Sequence, residues 1–189
     1  GQLERLKVEI RLDTEADVEL LGTLKPDAVI LATGSKPVIP SLPGLEQRNV
    51  VTAVDILAGR AEAGQKVLII GGGSVGCETA EFLFMQGKEV TVAEMLPELA
   101  GDMGFRDRSR LLTRINNLPI HFLTGAKCEG VSPGGAVLKT FEGQQRLIAA
   151  DSFILAAGAR QNNALYPLLK AKGWETHPAG DCRRLARIA

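Results

Sequence analysis

The chain has 189 residues, with 22 Lys and Arg against 22 Asp and Glu and a formal net charge of zero. Such balance argues against a nucleic-acid or anionic-membrane partner, and no continuous apolar run is long enough to span a bilayer, although 45% apolar residues support a proper core. Cys77, Cys128 and Cys182 are scattered, with no C-x-x-C pair and no metal-ligand spacing, which fits a reduced, cytoplasmic protein without a metal site.

Residues 8–12 alternate as a half-buried strand, and residues 14–21 read as a short helix or turn. Residues 28–32 read as a buried strand ending at Thr33-Gly34-Ser35. Pro37, Pro40, Pro43 and Gly44 then mark an extended linker. Thr52-Ala53-Val54-Asp55 has the form of a capping box opening a short helix that stops at Gly59. Val67-Leu68-Ile69-Ile70 predicts a strand, residues 77–86 a helix closed by Gly87, and residues 89–93 a second strand. Residues 107–117 read as a further helix and 119–123 as a strand. Between 128 and 148 the period changes to two, with glycine punctuation at Gly134-Gly135 and Gly143, which predicts an antiparallel meander. Residues 152–158 form a last buried strand with a glycine stop.

The turn inside this pattern carries the chemistry. Gly71-Gly72-Gly73-Ser74-Val75-Gly76 sits between strand and helix, and Glu94 ends the next strand about 20 residues after the middle glycine. That is the order and spacing of a dinucleotide-binding βαβ unit. Gly71 permits the tight turn, Gly73 lets a diphosphate approach the backbone, and Gly76 lets the helix pack on the strand. The helix end presents unpaired N–H groups and a positive dipole to the phosphates. Glu94 is placed to accept hydrogen bonds from the adenosine ribose. Its charge disfavours a 2′-phosphate, and no Arg or Lys follows it in Met95-Leu96-Pro97-Glu98, so NADH is expected over NADPH.

Residues 25–34 and 149–158 resemble each other: an Asp, an apolar strand and a small-small-Gly ending. The echo brackets the βαβ unit, as one nucleotide domain inserted into another would leave it. Together with Leu31-Ala32-Thr33-Gly34-Ser35 and Ala179-Gly180-Asp181-Cys182, the chain resembles the pyridine nucleotide–disulfide reductase superfamily. More narrowly, Val51-Thr52-Ala53-Val54-Asp55, Gly71 through Leu83, Glu94-Met95-Leu96-Pro97-Glu98 and Asp102-Met103-Gly104 are similar to NADH:flavin oxidoreductases of the old-yellow-enzyme-like type. That group includes 2,4-dienoyl-CoA reductase and trimethylamine dehydrogenase.

The resemblance implies an α/β fold: a Rossmann-like domain with a parallel sheet and an antiparallel meander, plus the remnant of an interrupted FAD-binding domain. It divides the chain into an FAD-type strip at 1–48, an NAD(P)H-binding domain at 49–149 and a second FAD-type strip at 150–189. It implies that FMN and an iron–sulfur cluster belong to a barrel outside this chain, and that FAD binds weakly or not at all to this piece without its own glycine-rich loop. Thr33, Gly34 and Asp181 match stretches that face FAD, and Glu78 and Gly158 are expected near the nicotinamide. No catalytic side chain is expected, since NADH and flavin carry the hydride chemistry. Two alternatives stand beside this reading: a structural module holding an ADP-like ligand, and a fragment of an NAD(P)H-dependent ferredoxin or disulfide reductase.

Overall fold

In the computed structural model, which describes residues 1–185, the chain opens with α1 (Gln2–Arg5), α2 (Val18–Leu24) and β1 (Val29–Leu31). β2 (Ser35–Pro37), β3 (Val50–Thr52) and α3 (Ala53–Leu57) lead into β4 (Lys66–Ile70), α4 (Ser74–Met85) and β5 (Glu89–Glu94). α5 (Phe105–Ile115), β6 (His121–Thr124), β7 (Ala126–Ser132), β8 (Gly135–Thr140), β9 (Gln145–Ile148) and β10 (Ser152–Leu155) follow. The described chain ends with β11 (Ala159–Gln161), α6 (Leu165–Ala171), β12 (Thr176–Pro178) and a 3₁₀ turn at Gly180–Cys182. The residues fall into two units: Gly1–Gly34 with Gln161–Arg184, and a unit containing Ser35–Arg160.

In the larger unit, five parallel strands lie in the order β3-β10-β4-β5-β6. A parallel sheet is covered on both faces, so its central strands read as continuous apolar runs. β4 shows this. Val67 and Ile69 pack with Ala53, Ile56, Ala80 and Leu83 of α3 and α4. Leu68 and Ile70 pack on the other face with Ala126, Cys128, Ala136 and Leu138 of the antiparallel sheet β7-β8-β9. α5 closes a smaller cluster of Leu111 and Ile115 with Cys77, Leu99 and Ala100.

The expected Rossmann-like α/β architecture with its meander is therefore present. β10 sits inside the parallel sheet between β3 and β4, and the larger unit takes in residues 35–48 and 150–160 as well as 49–149. The reason for the place of β10 is the apolar Ser152–Leu155 run, buried on both faces and usable only in a sheet interior. Residues 186–189 of the second FAD-type strip lie outside the described residues.

The smaller unit pairs β1 with β12 in parallel, Val29 opposite Thr176. Val29, Leu31, Leu169 and Cys182 form its core, with Leu21, Tyr166 and Trp174 packed around them. Asp17 caps α2 by accepting the Leu20 N–H at 2.8 Å. The strand expected at residues 8–12 does not form. Val8, Ile10 and Leu12 are exposed, and among the described residues no strand pairs with them. Alternation alone cannot make a strand where no partner supplies the ladder.

The turn from β4 into α4 is close-packed against backbone. Gly71 adopts φ 112°, and a Cβ there would meet the Ala156 carbonyl oxygen at 2.4 Å. A Cβ on Gly76 would lie 1.9 Å from the Gly71 carbonyl oxygen. Alanine is the better helix former by about 1 kcal/mol, but the methyl has no space and its neighbour is main chain. Gly76→Ala is expected to lower the unfolding free energy by about 2 kcal/mol in urea titration, the range for overpacking; a gain in stability would show that α4 does not sit this close.

Of the capping box expected at Thr52, the side-chain N-cap is formed. The Thr52 hydroxyl accepts the Asp55 N–H at 3.1 Å and donates to the Asp55 carboxylate at 2.6 Å. These bonds and Arg60 hold the Asp55 carboxyl below its ordinary value of 3.8. A lowered carboxyl stabilises the fold above its unfolded value and loses that stabilisation as the pH falls through its folded value. Thr52→Ala is expected to lose about 1 kcal/mol at neutral pH, and the difference from the parent protein should shrink as the pH drops below 4. A difference independent of pH would remove Asp55 from the cap.

Candidate functional site

Parallel strands leave their ligand crevice at the carboxyl ends, and the larger unit has a cleft there of about 510 Å³. Gly71, Gly72 and Gly73 form one wall, Glu94 and Asp102 a second, and Ala156, Ala157 and Gly158 a third. Lys127 and Cys128 of the meander also line it. The floor and walls therefore come from the carboxyl ends of β10, β4 and β5, adjacent in the parallel sheet, and from the start of β7 in the antiparallel sheet.

The glycine turn is shaped by contacts as well as torsions. A Cβ on Gly72 would collide with Leu99 Cδ2 at 2.7 Å and Glu94 Cβ at 2.8 Å. Its N–H donates to Glu94 Oε2 at 2.6 Å, and its carbonyl accepts the Ala100 N–H at 2.7 Å. Gly73 is the N-cap of α4, in extended backbone. Gly158 lines the cleft at φ 93°, and a Cβ there would meet nothing within 4 Å.

Glu94 is only 8% exposed, and its second oxygen accepts the Leu96 N–H at 2.7 Å. The carboxylate thus fixes both the glycine turn and the chain beyond β5. An ionised carboxylate has about four acceptor positions, so two remain for hydroxyl groups in the cleft. The sequence pattern placed Glu94 correctly at the strand end but did not show this bracing role.

Ser74 lies at the start of α4, where the first-turn N–H groups have no intrahelical acceptor. Its N–H donates to Asp102 Oδ1 at 2.8 Å and its hydroxyl to Asp102 Oδ2 at 2.6 Å. Asp102 is a site residue that motif reading missed. It lies 28 positions from Ser74, and no local period links a loop carboxylate to a distant helix end. Val75 lines the cleft and is 43% exposed.

Cys77 follows on the buried face of α4, and its thiol donates to the Gly72 carbonyl at 3.3 Å. Burial, and then the charge of Asp102, push its pKa up to about 12, so at neutral pH it is a packing thiol and not a nucleophile. Burial also raises Cys128. Among the described residues no cluster of side chains could hold a metal ion, and no helix is long and apolar enough to cross a membrane.

Four of the expected positions away from the glycine turn lie outside the lining of this cleft. Glu78 is exposed on α4 outside the cleft lining, where the Glu81 hydrogen bond, and after it the charges of Glu81 and Glu78, raise the Arg114 guanidinium. Thr33 and Gly34 belong to the smaller unit, where both Thr33 and Gly34 are bonded to Asn162. Asp181 lies in that unit's 3₁₀ turn.

Comparison with known proteins agrees with this geometry. The pyridine nucleotide-disulphide oxidoreductase family matches residues 3–183. An NADH oxidase of Thermoanaerobacter brockii is 38% identical over all of this chain and 30% of its own length. A bilirubin reductase of Mediterraneibacter gnavus is 34% identical over 98% of the chain and 29% of its own length. A solved 2-naphthoyl-CoA reductase superposes with a TM-score of 0.86 at 30% identity, covering 98% of this chain and 28% of that one. The chain thus spans about 30% of the length of these relatives. A glycine turn packed against main chain, a buried acid at the next strand end and a match across nearly the whole sequence place the chain in the pyridine nucleotide-disulphide oxidoreductase family.

Proposed function

We propose that this chain is the NADH-docking module of a larger flavin-dependent oxidoreductase of the old-yellow-enzyme-like NADH:flavin type. The observation that carries the reading is the pairing of a close-approach glycine turn with the buried Glu94 in one cleft. The diphosphate sits over the backbone of Gly71, Gly72 and Gly73 and the Ser74–Val75 end of α4. The ribose hydroxyls donate to the remaining positions on Glu94, and Gly158 leaves space for the nicotinamide half. Bound NADH supplies a hydride; this chain's part is to bind the dinucleotide, orient it and limit its motion.

The family membership supports an oxidoreductase. The share of each relative that the chain covers supports a partner: the rest of the parent flavoenzyme. In that parent FAD faces Thr33, Gly34 and Asp181, while FMN and the iron–sulfur cluster belong to residues outside this chain. The reading gives no catalytic role to a side chain here. Cys77 supplies no redox chemistry in this reading, because its thiol is buried and bonded to the Gly72 carbonyl, and all three cysteines are free.

Calorimetric titration with NADH and with ADP tests the reading. NADH is expected to bind at least about tenfold more tightly than ADP, since the nicotinamide half adds its own contacts. Equal affinities would favour a module that holds only the ADP moiety. Substitution of Glu94 tests the ribose contact. Glu94→Gln keeps an acceptor for one of the two amides it braces, whereas Glu94→Ala leaves both without a partner. Glu94→Gln is expected to weaken NADH about tenfold, the scale of a charge-assisted hydrogen bond, and to narrow the preference against NADPH. An unchanged NADH-to-NADPH ratio would take Glu94 out of the ribose site.

A further inference from the structure

The start of α4 is where the positive end of a twelve-residue helix attracts an anion, and the protein supplies one itself. Asp102 uses both carboxylate oxygens on Ser74, one on the N–H and one on the hydroxyl. It is carried by residues 95–104, a segment that crosses the glycine turn and is fastened to it. Ala100 donates its N–H to Gly72, and Leu99 fills the space beside Gly72. Arg108 of α5 anchors the segment from outside, binding the Leu99 carbonyl and the Glu98 carboxylate at 2.8 Å each. Glu94, Glu98 and Asp102 all line the cleft, with Lys127 the one cation among the lining residues. A diphosphate entering the cleft therefore meets a carboxylate on the donors it needs.

We propose that Asp102 is a built-in competitor for the cofactor's diphosphate. It caps α4 when no diphosphate is present and releases Ser74 when one arrives. This rests on the dinucleotide reading of the cleft. Two anions at hydrogen-bonding distance from one N–H repel each other, so the carboxylate and the diphosphate exclude each other at Ser74. The segment holding Asp102 is tied at Ala100 and Arg108, which keeps the competitor close at hand after it lets go. Asp102 thus sets how tightly phosphate-bearing nucleotides bind, and it leaves phosphate-free nucleosides unaffected. It touches the cofactor's donors and not its reacting atoms, so it is a positioning residue.

The test is calorimetry of NADH and of adenosine with the full chain, with Asp102→Asn and with Asp102→Ala. The asparagine variant keeps an oxygen for the Ser74 N–H and removes only the charge. Both variants are expected to bind NADH roughly threefold to tenfold more tightly, the range for a charge at a helix end, with adenosine changed by less than about twofold. The parent chain provides a reading that needs no variant: in ¹⁵N-resolved NMR the Ser74 amide should move on adding NADH and stay in place on adding adenosine. If NADH binds the parent chain but the variants bind it equally or more weakly, the competitor role is wrong and the dinucleotide site stands. If NADH moves other amides of the glycine turn but not Ser74, the role is likewise wrong. Failure of NADH to bind any of the three proteins would overturn both readings.

Discussion

The C-terminal edge of the parallel sheet depends on how closely α4 approaches the turn that feeds it. The Gly71 carbonyl oxygen occupies the place where a side chain at position 76 would begin, and the Ala156 carbonyl oxygen crowds position 71 in the same way. Three segments of main chain meet without a Cβ between them. That contact puts the start of α4 directly at the ends of β4 and β10. Moving the helix outward by the width of a methyl group would draw its first turn away from the glycine turn that Glu94 braces.

Glu94 and Asp102 brace the turn from opposite sides. Glu94 ties Gly72 to Leu96, and so links the end of β4 to the chain leaving β5. Asp102 closes the loop by returning that chain to Ser74. The segment between them is held over the glycines by the Ala100–Gly72 bond and the buried Leu99. A site made this way has its shape before any ligand arrives. The same bonds also compete with a ligand for donors, so the stability of the loop and the affinity of the cleft are coupled.

The sequence made the fold legible where local rules and tertiary needs agree. Residues 67–70 and 152–155 are apolar without interruption because both faces of the sheet are covered, and both became central strands. The Thr52 cap and the glycine stops at Gly34, Gly87 and Gly158 act within a few residues, and the positive φ values at those glycines follow the motif. Residues 8–12 had the period of a strand and no partner, so the pattern had nothing to form. Membership of β10 in the parallel sheet depends on pairing across about 85 residues, as in Ser152 opposite Val67, and no window of sequence contains it. The same limit hid Asp102. Glu78, expected near the nicotinamide, is exposed on the first turns of α4, and its charge reaches Arg114 of α5.

A crystal structure of the chain grown with NADH tests most directly whether the cleft holds a dinucleotide. The diphosphate should lie within hydrogen-bonding distance of the backbone N–H groups at the start of α4, with the adenosine ribose on Glu94. NADH bound at saturating concentration with its diphosphate away from Gly73, Ser74 and Val75, or no NADH in the cleft at all, would contradict the account.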